Sequence, residues 1–492
     1  MGSAPGLYVY AVDRREVMAT RSRLIAAAAA RVGITPPIIR VIKSALDRFD
    51  EEGTLTVRQD IARVPNELQF ARHVVIIITH EALKSADWSS FAGWHLVVDE
   101  IPNLWDHELR RTPAHAAHFQ AHYGLERVVG TSFSIVSAKP NAPSLADYQN
   151  DATASTWANF HKRITSGHGV YVNIHDWREM ALRNATWSWY SVWDIHELAS
   201  FSEVWIVGNA FEHSVTYGLI TALFCTPANP EHQVTFESLP TTVTAHEWAK
   251  RSVRIRYFAK DHNAGSFLWH DDASPYKDAQ HRWADWIAAN SDDDNHYWTA
   301  NLRHVTAWKG KIPGQAISPK IAGSNEYRDL TTVSVCYSAK GNPAEISALK
   351  LFGITPAMVT RSREMEDLIQ IVFRSSLRVA DDTRPVDIRV YDLSQAEFLK
   401  SYFEVAGFPF EVDLEHVDIG LDDVARKSLK QHRLDRKLER CATEAERQAA
   451  ITKSTMTKAE KERARKARIK AKKVAAGEVV RGRGRPRKAV GS

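Results

Sequence analysis

Over the first part of the chain, apolar residues fall into short β-branched runs separated by segments of helical period. Leu7 to Val12 reads as a short buried strand. Arg14 to Ala30 behind it carries apolar positions at helical spacing, with Asp13 placed to cap it. Val74-Val-Ile-Ile-Ile78 is β-branched throughout and ends at Thr79-His80-Glu81-Ala82-Leu83. Leu96-Val97-Val98 runs directly into Asp99-Glu100-Ile101-Pro102. Val128-Val129, leading to Gly130-Thr131-Ser132-Phe133, is a fourth candidate strand. Strands alternating with helices over roughly 140 residues predict a parallel sheet with helices on its faces.

The Pro/Ala/Ser-rich stretch from Ala138 to Ala146 reads as a linker. Beyond it, Val170–Ile174, Val204–Val207 and Thr332–Cys336 look like strands of a second α/β domain, and Val386–Tyr391 alternates like a half-exposed edge strand. Residues 227–314, dense in Trp, His and Asp, do not repeat this pattern and read as an insertion. The expected organisation is α/β, with parallel-sheet domains at 1–140 and 150–423 and a tail at 424–492. No internal repeat is visible.

Composition adds one asymmetry. Apolar residues at 44% and charged residues at 25% of 492 are ordinary globular values, and three scattered cysteines suit a reducing compartment. The start lacks a signal pattern, and no apolar run reaches the ~20 residues of a spanning helix. A cytoplasmic protein is expected. The net charge of +5, however, is unevenly shared: Val424 to Ser492 holds 23 Lys/Arg against 7 Asp/Glu, so the body is acidic. A basic tail on an acidic body points to a polyanionic partner, most simply nucleic acid, or to a solubilising extension. Thr457-Lys-Ala-Glu460 forms a capping box ahead of Lys/Arg/Ala-rich sequence with almost no apolar face, so this tail should be partly helical or disordered.

Three clusters carry candidate chemistry. Asp99 and Glu100 end an apolar strand, the position where parallel sheets present ligands; paired acids there also merely cap helices or face solvent. Gln370, Arg374 and Arg378 fall at i, i+4 and i+8, one stripe if the segment is helical. Two guanidiniums there suit phosphate oxygens, or ordinary ion pairs with Glu364 and Glu366. Gly323 and Ser324, in the polar turn Ala322 to Asp329, would let backbone N–H groups approach a ligand that Arg328 pairs with; a plain connecting loop is the other reading.

Together these clusters resemble the superfamily 2 helicases, particularly the divergent members of phages and mobile elements. The order matches from Leu7 to Asp392. Tyr8–Arg15 resembles motif Ia, Thr79–Leu83 motif Ib and Asp99–Pro102 the DExx box. Thr131-Ser132 stands where motif III is expected, Gly323–Asp329 resembles motif V, and Gln370–Arg378 resembles motif VI. The resemblance implies two RecA-like domains with ATP and Mg²⁺ between them and nucleic acid across the top, in a bacterial or phage-infected cell. Asp99 would hold Mg²⁺, Glu100 would activate water, Arg374 and Arg378 would reach the γ-phosphate, and Thr79 and His80 would contact nucleic acid. Arg378 lies one residue further from Gln370 than is common in the family. No G-x-x-x-x-G-K-[ST] occurs in the chain, so its phosphate loop is missing through truncation or natural loss, and ATP turnover should be slow or absent.

The tail ends in Arg481, Arg483, Arg485, Pro486, Arg487 and Lys488 with interleaved Gly, resembling an AT-hook for the minor groove of A·T-rich DNA. Two further readings stay open: a non-enzymatic DNA-binding scaffold, and a packaging-type motor. His115, His118 and His122 lack a completing zinc ligand, Asp292–Asp294 read as a solvated loop, and Trp187, Trp189 and Trp193 read as packing.

Overall fold

In the computed structural model the β-branched run Val74–Ile78 becomes an interior strand of a parallel sheet, covered on both faces. The structure describes residues 4–43, 56–111, 120–151, 154–166, 168–182, 186–225, 234–238, 247–265, 276–320, 326–423 and 446–448. The first sheet opens with β1 (Leu7–Val12), β2 (Ile38–Val41), β3 (Val74–Thr79) and β4 (His95–Asp99). Alternation along β3 shows why it is apolar at every position. Val74, Ile76 and Ile78 pack with Ile61, Val64 and Phe91 on one face, while Val75 and Ile77 pack with Met18 and Ile25 of the helix Arg15–Arg31 on the other. Asp13 does not cap that helix; it pairs with Arg14 at 3.2 Å, and Arg14 occupies the cap position without a side-chain bond.

After β4 the chain leaves this sheet and builds an antiparallel one from β5 (Trp105–Arg111), β6 (Tyr123–Arg127), β7 (Phe133–Ala138), β8 (Gly169–Asn173) and β9 (Thr186–Val192), in the order β5-β9-β8-β7-β6. Its core is aromatic: Trp157 stacks on Trp187 at 5.0 Å, with Phe160, Trp177 and Trp189 around them. Trp187, Trp189 and Trp193 are therefore core residues. Only then does β10 (Glu203–Val207) return to the first sheet, completing the parallel order β10-β4-β1-β3-β2.

Three expectations are corrected here. Val170–Ile174 forms β8 of the antiparallel sheet and Val204–Val207 forms the edge of the first sheet, so neither belongs to the second parallel sheet. Strand alternation alone does not say which sheet a strand joins. Val128-Val129 is no strand; it enters the turn between β6 and β7, leaving Val129 92% exposed.

The second parallel sheet contains β11 (Arg251–Ala259), β12 (His296–Ala300), β13 (Gln315–Ala316), β14 (Thr332–Cys336), β15 (Val386–Asp392) and β16 (Phe410–His416) in the order β13-β12-β14-β15-β11-β16. Of the stretch 227–314, expected to be an insertion, the described strands β11 and β12 are interior strands of this sheet. β15 is not an edge strand. It lies between β14 and β11, and its polar alternate Arg389 is buried by bonds to Asp387, Ser291 and the Asn290 carbonyl. The architecture is thus α/β with two parallel-sheet domains, the antiparallel sheet lying in the chain between β4 and β10 of the first. They are joined through Ala348, Leu349, Ile354 and Val359, which enter the core beneath the first sheet. Residues from Asp422 onward form a separate unit, so the helical and AT-hook-like expectations for the tail lie outside the described residues. Among the described residues no helix is long and apolar enough to cross a membrane.

Candidate functional site

The carboxyl ends of β1, β3, β4 and β10 bring the polar residues of the first domain to one edge. Parallel pairing in register does this: Val12 aligns with Thr79, and Val207 with Asp99. β4 ends in a sharp turn at Glu100, whose φ of 72° is left-handed, uncommon for a side chain with a Cβ and costing about 1–3 kcal/mol. The Glu100 N–H donates to the Val207 carbonyl at 2.8 Å, and this bond helps hold the turn. Beside it, a Cβ on Gly208 would stand 2.5 Å from Ile101 Cγ1, so the close approach of the two strand ends requires glycine there.

The two acids have different partners. Asp99 Oδ2 accepts from Tyr10 Oη at 2.8 Å and pairs with Arg21 Nη2 at 2.7 Å. Its main-chain carbonyl accepts from His80 Nε2 at 3.0 Å, and burial lowers the pKa of that imidazole. Thr79 accepts from the Ala82 N–H and so caps the short helix His80–Leu83. His80 thus braces the end of β4, and Thr79 caps the short helix that carries it. Glu100 is pushed above the usual carboxylate range by burial first, then by the nearby charges of Asp13 and Asp99, against the pull of Arg374 and Arg14.

Arg374 comes from the second domain. It is buried, and its pKa is lowered by desolvation and then by the like charge of Arg378. The expected Gln370–Arg374–Arg378 helix stripe is corrected: the helix Glu366–Val372 stops short, and Ser375 begins a separate turn, Ser376–Arg378. Ser375 has extended backbone and its side chain accepts from the Leu377 N–H, an alternative to continuing the helix. Gln370 bonds Glu366 within its own helix at 3.4 Å, and Arg378 is exposed. Glu366 also accepts from Asn209 Nδ2 at 3.0 Å, tying the loop after β10 to the second domain.

Gly323 and Ser324 lie outside the described residues, as do His115, His118 and the tail residues Arg481, Arg483, Arg485, Pro486, Arg487 and Lys488. Arg328 is exposed in the adjoining turn. Thr131-Ser132 is removed from the site altogether: it lies in the turn of the antiparallel sheet, where Thr131 Oγ1 donates to the Val128 carbonyl. Gly208-Asn209, after β10, occupies the place beside the acids. Sequence reasoning missed it together with Tyr10 and Arg21. The available signal was Gly-Asn directly after an apolar run, the same strand-then-polar pattern as at Asp99.

Among the described residues no group of three or more His, Cys, Asp and Glu is arranged to hold a metal ion. Asp99 and Glu100 nevertheless supply hard oxygen donors of the kind Mg²⁺ takes, one or two at a time alongside water and phosphate. A separate cleft of about 730 Å³ is lined in part by Arg58, Lys162, Ser85, Asp87 and Glu197. The Lys162 ammonium is lowered by burial, then by Arg163 and Arg58.

No family model and no curated protein matches the chain. Among solved structures it is similar to apo XPD (11% identity, 84% of this chain and 97% of that one, TM-score 0.34). It is also similar to S. cerevisiae Dbp5 bound to RNA and ADP BeF3 (9%, 86% and 80%, TM-score 0.31). A DEAD box protein from the hyperthermophile Methanococcus jannaschii aligns at 8% identity over 85% and 81%, with a TM-score of 0.24. Likenesses this distant concern the backbone arrangement and assign the site no activity.

Proposed function

We propose that this chain is the body of a helicase-like, nucleic-acid-dependent ATPase whose nucleotide site lies where Glu100 of the first domain faces Arg374 of the second. The observation that supports the reading is the hydrogen bond from Asn209 Nδ2 to Glu366 at 3.0 Å, which ties the carboxyl edge of the first parallel sheet, where Glu100 stands, to the segment of the second domain that carries Arg374. Asp99, oriented by Tyr10 and Arg21, is assigned to Mg²⁺, which when bound neutralises charge on the phosphate oxygens. Glu100, when ionised, accepts a proton from water. Arg374, with Arg378 behind it, offsets negative charge developing beside it. Gly323, Ser324 and Arg328 are assigned to the nucleotide by sequence resemblance. Thr79 and His80 link the nucleotide edge to a nucleic-acid path along the cleft at Arg58 and Lys162. The tail is assigned to A·T-rich duplex DNA.

The missing G-x-x-x-x-G-K-[ST] favours a second reading, a DNA-binding scaffold derived from such a motor. Equilibrium binding of a fluorescent ATP analogue with Mg²⁺ separates the two. The motor reading expects weak, Mg²⁺-dependent binding, reduced at least about ten-fold by both Asp99→Asn and Arg374→Ala, the size of one charged hydrogen bond. Binding indifferent to both substitutions, or none at all, leaves the scaffold.

A further inference from the structure

One helical rod passes from the core of the first domain into the core of the second. It begins at Pro356, where Thr355 caps it by accepting from the Met358 N–H, and it ends at Val372. Val359 packs in the core beneath the first sheet, whereas Met365, Leu368, Ile371 and Val372 pack in the core of the second. Between them the backbone stays helical but widens into one π-turn, Arg361–Met365. Such turns are rare, bend the helices that contain them and recur at functional positions. The irregularity stands where the rod leaves one core for the other.

Side chains of this turn are divided between the two domains. Ser362 Oγ accepts from the Val215 N–H at 3.0 Å, at the start of the helix Val215–Phe224, whose Leu219 and Ile220 lie in the first core. Arg363 forks onto Glu345 at 2.6 and 3.1 Å, and Ala348 and Leu349 of that same helix, Pro343–Leu349, fill the first core. The residues flanking this pair hold the second domain instead. The Arg361 guanidinium lies 4.3 Å from the centre of the Phe398 ring. Glu364 is fully buried, and its carboxylate accepts from Ser338 Oγ, from the Ala339 N–H and from Gln395 Nε2 of the helix Leu393–Val405. It also pairs with Lys340 at 3.3 Å, so the buried charge is fully compensated. Beyond the turn, the bond from Asn209 to Glu366 ties the rod back across the cleft.

We propose that Arg361–Met365 is the hinge between the two parallel-sheet domains. Residues 342–360 move with the first domain, residues from Glu366 onward move with the second, and Asn209–Glu366 is the latch that holds the observed arrangement. A π-turn takes up rotation by changing its hydrogen-bond register, without loss of the helix on either side. Arg374 stands two residues past the end of the rod, so the same rotation sets its position relative to Glu100. The hinge stands on the rod and its anchors alone; its consequence for Arg374 rests on the nucleotide-site reading.

The test uses the full chain carrying Cys225→Ser and Cys441→Ser, spin-labelled in pairs at exposed positions. One pair, Arg72→Cys with Ser347→Cys, lies on the first-domain side of the turn; the other, Ser347→Cys with Ser401→Cys, spans it. Distances are read by double electron–electron resonance, without nucleotide. Asn209→Ala opens the latch and touches no core residue. In that variant the spanning pair should gain a second distance at least about 5 Å from the first, while the first-domain pair keeps a single distance. Glu364→Ala, which unties the turn from the second domain, should enlarge the second population. A single spanning distance in both variants overturns the proposal. So does a first-domain pair that splits along with the spanning one, because residues 342–360 then do not belong to the first domain. A non-hydrolysable ATP analogue with Mg²⁺ should return the spanning pair of Asn209→Ala to one distance. Two spanning distances that the analogue leaves unchanged uphold the hinge and overturn its link to the nucleotide site.

Discussion

Replacing Gly208 by Ala tests how tightly the ends of β4 and β10 are fitted around the acidic turn. The added methyl carbon meets Ile101 Cγ1 at 2.5 Å, the Ile101 backbone N at 3.2 Å and Cδ1 at 3.3 Å. Cγ1 sits near the root of its side chain, so relief requires an off-rotamer Ile101 or a shift of the two strand ends. Overpacking of this kind costs about 1–3 kcal/mol. The loss of unfolded-state freedom on going from Gly to Ala returns about 0.4–1 kcal/mol. The expected net destabilisation is therefore about 1–2 kcal/mol, read as a lower urea midpoint in tryptophan fluorescence with the slope unchanged. In an Ile101→Ala background the two side-chain contacts vanish and the same substitution should cost only a few tenths. Because Glu100 donates its N–H to Val207, nucleotide binding should weaken in step with the strain. A stabilised Gly208→Ala protein, or an equal cost with and without the Ile101 side chain, would refute the reasoning.

Two predictions concern other parts of the chain. His296 is fully buried, bonded to the Pro313 carbonyl and to Ser334, and burial pushes its imidazole down to about 4. Its unfolded value near 6.5 is higher, so its contribution is complete above that value and lost as pH falls from 6.5 towards 4. Between pH 7 and pH 5 the protein should lose about 2 kcal/mol more than its His296→Gln variant in urea titrations, and equal pH slopes would contradict this. Removing Arg481 to Lys488 should weaken binding to A·T-rich duplex most; equal loss on G·C-rich duplex leaves only general charge attraction.

The parallel-sheet strands around the site were legible because burial on both faces demands unbroken β-branched runs, as at Val74–Ile78, and the acids stand where one such run stops. The pairing of strands was not legible. β10 rejoins the first sheet more than a hundred residues after β4, and nothing in its alternation distinguishes it from a strand of the next domain. Thr131-Ser132 was placed by order along the chain, whereas Gly208-Asn209 holds the position by pairing across space. The helix ends before Arg374, so the stripe on which the Arg374 reading was based is not formed, and Arg374 is buried while Arg378 is exposed. Arg389 shows the converse: a polar residue at an alternating position suggested exposure, but local bonds bury it at the centre of the second sheet.

The most direct measurement is ATP hydrolysis by this chain with and without single-stranded and duplex DNA, beside Glu100→Gln. The account predicts slow, DNA-stimulated turnover that is lost in the variant while nucleotide binding is retained. Turnover unaffected by Glu100→Gln would contradict it, whereas no turnover with DNA binding intact would select the scaffold reading.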